Sequence, residues 1–476
     1  MSSLRIFGVL AVLGCTVLAC ESGTETDPPD TGNPGSPSDP SNPENPSDPS
    51  VPPKPTCTAP TAGPTIHEGG DVGADEVWSA NGSPHIVKQN VNVRNGAKLT
   101  IEPCAEVRVA KGKTINVAFP ITPNTGTLVA KGTETQPIKI VGEEGERWAS
   151  LSIRAGGTAD LAYVTFENGG GDFQNGATIA AYGDGEDGAD ALLTVDHVTI
   201  KGSLGTGAWL SRGATFGEES RDLVVTGSGS DEAPYPLEIE EHAIDRVPTG
   251  SYTGNKKDEI LIDPRGGRTA GSGLLEDATL HDRGVPYHVG RSKNHSLLIG
   301  GRPDEKLVTL TIEPGVKLRF TEGSALKVQH FTNQKPSTAA LRALGTAAKP
   351  IVLTSALDAP APGAWVGVWF GGIPAPSNEI DNVRIEWAGG DCGCILNTCS
   401  AITEHEGAVI FTAQPPSAFI TNTTFANVAM HAITQGYDGS FVDFRPTNKF
   451  EGVSGCEQTR PREASTQCPS PKPACD

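Results

Sequence analysis

Side chains able to do acid–base or metal chemistry are present in this chain, but few stand at the spacings such chemistry needs. Thr403-Glu404-His405-Glu406-Gly407 packs three metal-capable residues together, yet on an extended chain Glu404 and Glu406 face one side and His405 the other. That reads as an ordinary solvated strand. The acidic turn Asp184-Gly185-Glu186-Asp187-Gly188-Ala189-Asp190 offers oxygen ligands at Asp184, Asp187 and Asp190, with glycines that permit tight bending, a composition that suits calcium. Repeats of this kind coordinate between adjacent copies, and with a single copy here a surface loop is the plainer reading. Cys392, Cys394 and Cys399 could be read as a thiolate metal site, but their C-x-C-x₄-C spacing fits disulfides better if the chain is exported, as its N-terminus, read below, leads us to expect. Tyr235, Tyr252 and Tyr287 stand among acids between residues 235 and 290, where aromatic rings beside carboxylates could bind sugars; packing of one part of the body against the next is the expectation. There is no G-x-S-x-G elbow, H-E-x-x-H helix, phosphate-binding loop or dinucleotide fingerprint. No catalytic residue is assigned, and calcium is the one cofactor considered.

The elements that would position any site are clearer, because the chain repeats itself. Leu99 to Val109 (LTIEPCAEVRV) returns as Leu310 to Phe320 (LTIEPGVKLRF), and Leu128 to Ile140 (LVAKGTETQPIKI) returns as Leu341 to Leu353 (LRALGTAAKPIVL). A tryptophan follows each, Trp148 and Trp365, and then Leu161 to Asp172 (LAYVTFENGGGD) returns as Ile380 to Asp391 (IDNVRIEWAGGD). Blocks in the same order at a long period mean two copies of one module. Within each copy apolar and polar residues alternate, as at Leu99 and Ile101 or Val316, Leu318 and Phe320, which is the period of strands with one buried face. Pro-Gly, Gly-Gly and Asn-Gly punctuation separates them, and no helical period supplies crossover helices. The expected class is all-β, a stack of short coils forming a solenoid; a propeller would need several blade-length repeats.

The blocks TIEPGVKLRF and ALGTAAKPIVLTS, the tryptophan and the GGD turn resemble the right-handed parallel β-helix, or pectin-lyase-like, domains of predicted surface lipoproteins from myxobacteria and related bacteria. That resemblance covers roughly Val72 to Phe450 and implies fold more than function, since the fold hosts lyases, hydrolases, adhesins and scaffolds. The signatures of β-helix hydrolases are missing. Val195-Asp196-His197 is similar to part of the pectate lyase Trp-Ile-Asp-His signature, but Thr194 replaces the tryptophan and the Arg-x-Pro-x-x-Arg signature is absent. Asp196 therefore reads as a solvated residue of a coil turn. If the body were a carbohydrate-active enzyme, Asp172 and Asp391 would be the candidate acids of a groove along its side.

The two ends speak to location. Arg5 precedes an apolar run from Ile6 to Ala19, a secretory segment too short for a comfortable membrane span. Val17-Leu18-Ala19-Cys20 resembles a bacterial lipobox, as Val12-Leu13-Gly14-Cys15 nearly does; Cys20 is the preferred lipidation site because it adjoins the polar linker. Residues 20–56 then form a Pro/Ser/Asp-rich tether with no core-forming residues, extended at ~3.1 Å per residue. With net charge −20 and pI near 4.9, nucleic acid is an unsuitable partner. The expected map is a lipoprotein signal peptide at 1–19, the tether at 20–56, a first β-helix module at 57–234, an inter-module segment at 235–290 and a second module with a Cys-rich cap at 291–476.

Eight cysteines remain after Cys15 and Cys20, and one pairing can be argued. The second module turns at Glu313-Pro314-Gly315, where glycine tolerates positive φ, while the first has Glu102-Pro103-Cys104. A cysteine in a glycine position calls for compensation, and Cys57 is the other cysteine of the N-terminal half. A Cys57–Cys104 bridge would pin the start of the body onto the first coils and cover their apolar end; Cys392, Cys394, Cys399, Cys456, Cys468 and Cys475 are left to pair among themselves. The function expected is that of a non-enzymatic, lipid-anchored cell-surface protein presenting a binding or adhesive face to glycans or another surface protein. A carbohydrate-active enzyme and a structural envelope component are the alternatives.

Overall fold

In Lys98–Ile101 and Glu106–Val109 the side chains of Leu99, Ile101, Val107 and Val109 are buried while Lys98, Thr100, Glu106 and Arg108 lie outside. The chain repeats this pattern along its length, and the result is a parallel β-solenoid. The computed structural model describes residues 55–119, 124–171, 174–185, 190–264, 273–301, 306–329, 335–391, 406–437, 439–461 and 475. Among them the strands pair in parallel with those of the next coil, so that like side chains stack inside. Val107, Ile140, Phe166, Ile200 and Val225 form one such column, each at most 1% exposed. No described helix is long and apolar enough to cross a membrane.

A 14-stranded sheet runs from Gly70–Val72 to Lys449–Val453, through both copies of the repeat. Over the first copy it is accompanied by a 13-stranded sheet, in which Asp190–Lys201 serves two faces by bending at His197, whose φ is 54°. Over the second copy it is accompanied by two 5-stranded sheets. The copies are displaced around the solenoid. Glu106–Val109, Ile138–Gly142 and Val164–Glu167 lie in the 13-stranded sheet, whereas their repeats Lys317–Phe320, Ile351–Ser355 and Val383–Glu386 lie in the 14-stranded one. The change falls in segment 235–290, which gives the long sheet Leu237–Ile239, Ile260–Ile262 and Tyr287–Val289.

The repeated tryptophan and glycines do the same structural work in both copies. Trp148 Nε1 donates to the Glu167 carbonyl at 2.9 Å, and Trp365 Nε1 donates to that of Glu386 at 2.8 Å. The Gly170 and Gly171 amides donate to the Ala149 and Trp148 carbonyls at 2.6 and 2.8 Å, and those of Gly389 and Gly390 to Val366 and Trp365 at 2.9 and 3.0 Å. Gly170 and Gly389 have φ of 86° and 87°, and a Cβ on Gly390 would sit 2.4 Å from the Gly363 carbonyl oxygen.

Cys57 and Cys104 are bridged, with Cα atoms 5.5 Å apart, and Cys104 has a φ of 67° where Gly315 has 91°. The bridge does not lay the lead segment over the end of the core. The Thr56 amide donates to the Thr135 carbonyl at 2.8 Å and the Ala62 amide to that of Asn81 at 3.1 Å, so residues 56–62 run along the side of the first coils, where the turn holding Cys104 faces. The first coil's Trp78, 1% exposed, is instead flanked by His67 and His85 at 4.3 and 5.5 Å between ring centroids. At the other end Cys456 and Cys475 are bridged, with Cα atoms 5.1 Å apart. Cys20, Cys392, Cys394, Cys399 and Cys468 lie outside the described residues.

Candidate functional site

One outward row of the 14-stranded sheet changes character along the solenoid. Across successive strands the register aligns Asp71, Asn92, Asn116, Ser152, Ala180, Trp209, Glu238, Leu261, His288, Arg319 and Thr354. Its first part is a polar ladder: Asn92 Nδ2 donates to Asp71 Oδ1 at 3.1 Å and Asn116 Nδ2 to Asn92 Oδ1 at 2.9 Å. From Trp209 onward the row carries an aromatic ring and charged groups. Strand alternation puts them there, since Ala208 and Leu210, Leu237 and Ile239, and Tyr287 and Val289 take the inward positions.

A cleft of about 530 Å³ opens where the row reaches Trp209 and Glu238, lined also by Arg154, Tyr182, Arg212, Glu240, Asp263 and Arg291 among others. At one side of it Arg291 contacts Glu238 and stands 3.6 Å from Asp263 Oδ2, while Asn175 Nδ2 donates to the other Glu238 oxygen at 3.3 Å. Burial pushes the Glu238 carboxyl up to about 7 against the pull of Arg291. Both of its oxygens are engaged, which makes it a structural anchor for Arg291. Glu240 accepts from the Gly213 amide at 2.9 Å. At the other side the Arg154 guanidinium lies 3.8 Å over the Tyr182 ring, and that ring meets Trp209 edge-on at 5.1 Å. Tyr182 is 6% exposed, and burial pushes its phenol up to about 12. Its hydroxyl, the Arg154 Nε and the Ser152 hydroxyl are buried without hydrogen-bond partners.

Further along the row lies a second ionic group. Glu259 takes a hydrogen bond from His288 Nδ1 at 2.9 Å, an ion pair from Lys257 at 3.2 Å and a contact from Arg319. Burial alone would raise its carboxyl, but His288, Lys257 and Arg319 outweigh that and hold it at about 2. Lys257 stands 5.3 Å over the Tyr235 ring, which packs 5.1 Å from His288. Rigid aromatic faces beside fixed planar donors and acceptors suit a polyhydroxylated ring, whose apolar face stacks while its hydroxyls are hydrogen-bonded.

The residues singled out from the sequence are distributed differently. Tyr235 borders this network, whereas Tyr252 and Tyr287 are core residues whose hydroxyls donate to the Pro248 and His281 carbonyls, each at 2.8 Å. Asp190 Oδ2 accepts from the Asp184 amide at 3.2 Å, and Asp187 lies outside the described residues. His197 Nδ1 stands 2.6 Å from Asp196 Oδ1, its ring stacks on Tyr163 at 4.5 Å, and Asp222 brings a further carboxylate, so that three ligand atoms lie within 4.8 Å of one another. Asp196 is not simply solvated, because Arg221 already pairs with its second oxygen. Glu404 and His405 lie outside the described residues, as does Asp172. Glu406 corrects the solvated-strand expectation: it is 6% exposed, opening a strand, Gly407–Phe411, that is covered on both faces. Burial, and then the charge of Asp391, push its carboxyl up to about 7.

Sequence reasoning missed Arg154, Trp209, Glu238 and Arg291, which are far apart in the chain and share no motif. The one available signal was their position, each on or just beyond a polar or aromatic position flanked by inward apolar residues. No family model, curated protein or solved structure matches the chain.

Proposed function

We propose that this is an exported, lipid-anchored surface protein whose solenoid binds glycan chains along its side. The observation that carries the binding role is the cleft where the row passes from an asparagine ladder to Trp209 and Glu238, with Arg154, Tyr182 and Arg291 beside them. Parallel strands space such groups at ~4.8 Å intervals, an arrangement suited to an extended ligand touching several coils. The lipobox-like Cys20 and the acidic tether support the surface location. A glycan array probed with the full chain is the test. Binding to one or more defined oligosaccharides that Trp209→Ala weakens at least tenfold is expected; no binding anywhere on a broad array overturns the reading.

A carbohydrate-active enzyme is the second reading, and it draws on Glu406 beside Asp391, where one carboxyl keeps its proton near neutrality as a general acid must. Turnover in a depolymerisation screen with calcium, abolished by Glu406→Gln, would favour it over binding alone.

A further inference from the structure

Among the described residues Arg154 has no hydrogen-bond or ion-pair partner. Its Nε is buried and unbonded, and no acceptor among the described residues reaches its other nitrogens. Its place is nonetheless fixed, because the guanidinium is seated 3.8 Å above Tyr182, which is itself 6% exposed and braced by Trp209. Arg212, from the turn beyond Trp209, adds a second positive charge near it and reaches the Asp184 carbonyl at 3.3 Å. The rest of the cleft is different: Arg291 is matched by Glu238 and Asp263, and Glu240 by a backbone amide. Arg154 and Arg212 are thus neighbouring cations of the cleft, with the Glu240 carboxylate held at the Gly213 amide next to Arg212, in a chain whose net charge is −20. Leaving a half-buried guanidinium unpaired is unfavourable, and it becomes favourable once an anion enters.

We infer that the Arg154 side of the cleft binds the anionic substituent, carboxylate or sulfate, of an acidic sugar whose ring rests on Trp209. A guanidinium presents a planar fork of N–H donors that matches either anion with two hydrogen bonds, and the aromatic seat keeps that fork oriented before the ligand arrives. Arg212 adds attraction without a fixed geometry. The inference rests on the glycan reading above and specifies which glycans: those with a charged group on the ring that meets Trp209, in preference to neutral chains of the same linkage.

The test titrates the full chain with three probes of matched length, an oligouronate, its neutral counterpart and a sulfated oligosaccharide, following tryptophan fluorescence and calorimetry. At least tenfold tighter binding of one of the anionic probes over the neutral one is expected, and whichever anion binds tighter identifies the source. Arg154→Gln is expected to lower that preference to about threefold or less while leaving neutral binding in place, whereas Arg154→Lys keeps part of it. Trp209→Ala should weaken all probes alike. Equal binding of anionic and neutral probes by the unaltered chain, a comparison that needs no variant to fold, overturns the inference and leaves the glycan reading standing; absence of binding by every probe overturns the inference too, and the array then decides the glycan reading. A preference that survives in Arg154→Gln, with an unchanged melting temperature, also overturns the assignment to Arg154.

Discussion

His85 Nε2 donates to the Ser79 carbonyl at 2.8 Å, which leaves its Nδ1 to accept from His67 Nε2 at 3.0 Å, so the His85 imidazole is neutral in this arrangement, while His67 Nδ1 stands 3.7 Å from Glu76 Oε1. Burial lowers the proton affinity of both rings; His85 adds to the effect at His67, and Glu76 opposes it at both. A histidine whose folded value lies below its unfolded one binds fewer protons in the folded state, so its contribution is complete above about pH 6.5 and is lost as pH falls below that. The melting temperature should therefore drop on acidification from about pH 7.5 to about pH 5, and His85→Phe should flatten that part of the profile; an unchanged slope in the variant would show that other groups carry it. Cys104 gives a second residue-scale expectation. The bridge closes a loop of 47 residues, and removing it should cost about 4 kcal/mol in the chain-entropy model. Because Cys104 sits at a φ of 67°, the pair Cys57→Ser with Cys104→Gly should be about 1 kcal/mol more stable in denaturant titration than Cys57→Ser with Cys104→Ser.

At the scale of the element, the duplicated tryptophan, glycine and turn are a fastening. Each tryptophan N–H satisfies a carbonyl at the end of the next coil's strand, and each glycine pair lets two backbones approach within hydrogen-bonding distance. That accounts for the repetition of Trp148 with Gly170 and Gly171, and of Trp365 with Gly389 and Gly390, without calling on chemistry at the aspartate that follows. Gly390→Ala should destabilise by about 3 kcal/mol, since its Cβ would meet the Gly363 carbonyl at 2.4 Å, which a backbone atom cannot yield. Gly171→Ala should cost less, its nearest contacts being at 3.0 Å. Similar losses at the two positions would show that the coils relax more readily than their packing suggests. Trp365→Phe leaves the Glu386 carbonyl without its donor and should cost about 1–3 kcal/mol by thermal or chemical denaturation.

For the molecule as a whole, the coils stack through both copies of the repeat and place the cleft on the side of the long sheet. In the proposed reading the anchor is Cys20. Cells expressing Cys20→Ser should lose fatty-acid labelling of the protein and release it from the membrane fraction; continued labelling in that variant would move the anchor to another residue such as Cys15, and no labelling of the unaltered protein would remove it.

Fold class was legible before any coordinates, because period-two alternation, glycine punctuation and a long internal repeat are all local or self-comparing signals, and a parallel solenoid is what they jointly allow. The Cys57–Cys104 bridge was legible for a similar reason: one copy of the repeat reports what the other lacks, a glycine in a turn that needs positive φ. The displacement of the second copy by one face was not, since it depends on how the coils of segment 235–290 pass the chain between sheets. Nor was the cleft. Arg154, Tyr182, Trp209, Glu238 and Arg291 come from coils well separated in sequence, and only stacking brings them to one surface. Alternation says which residues point outward; which outward residues are neighbours is a matter of register between coils, and that is set by the packing of the whole core.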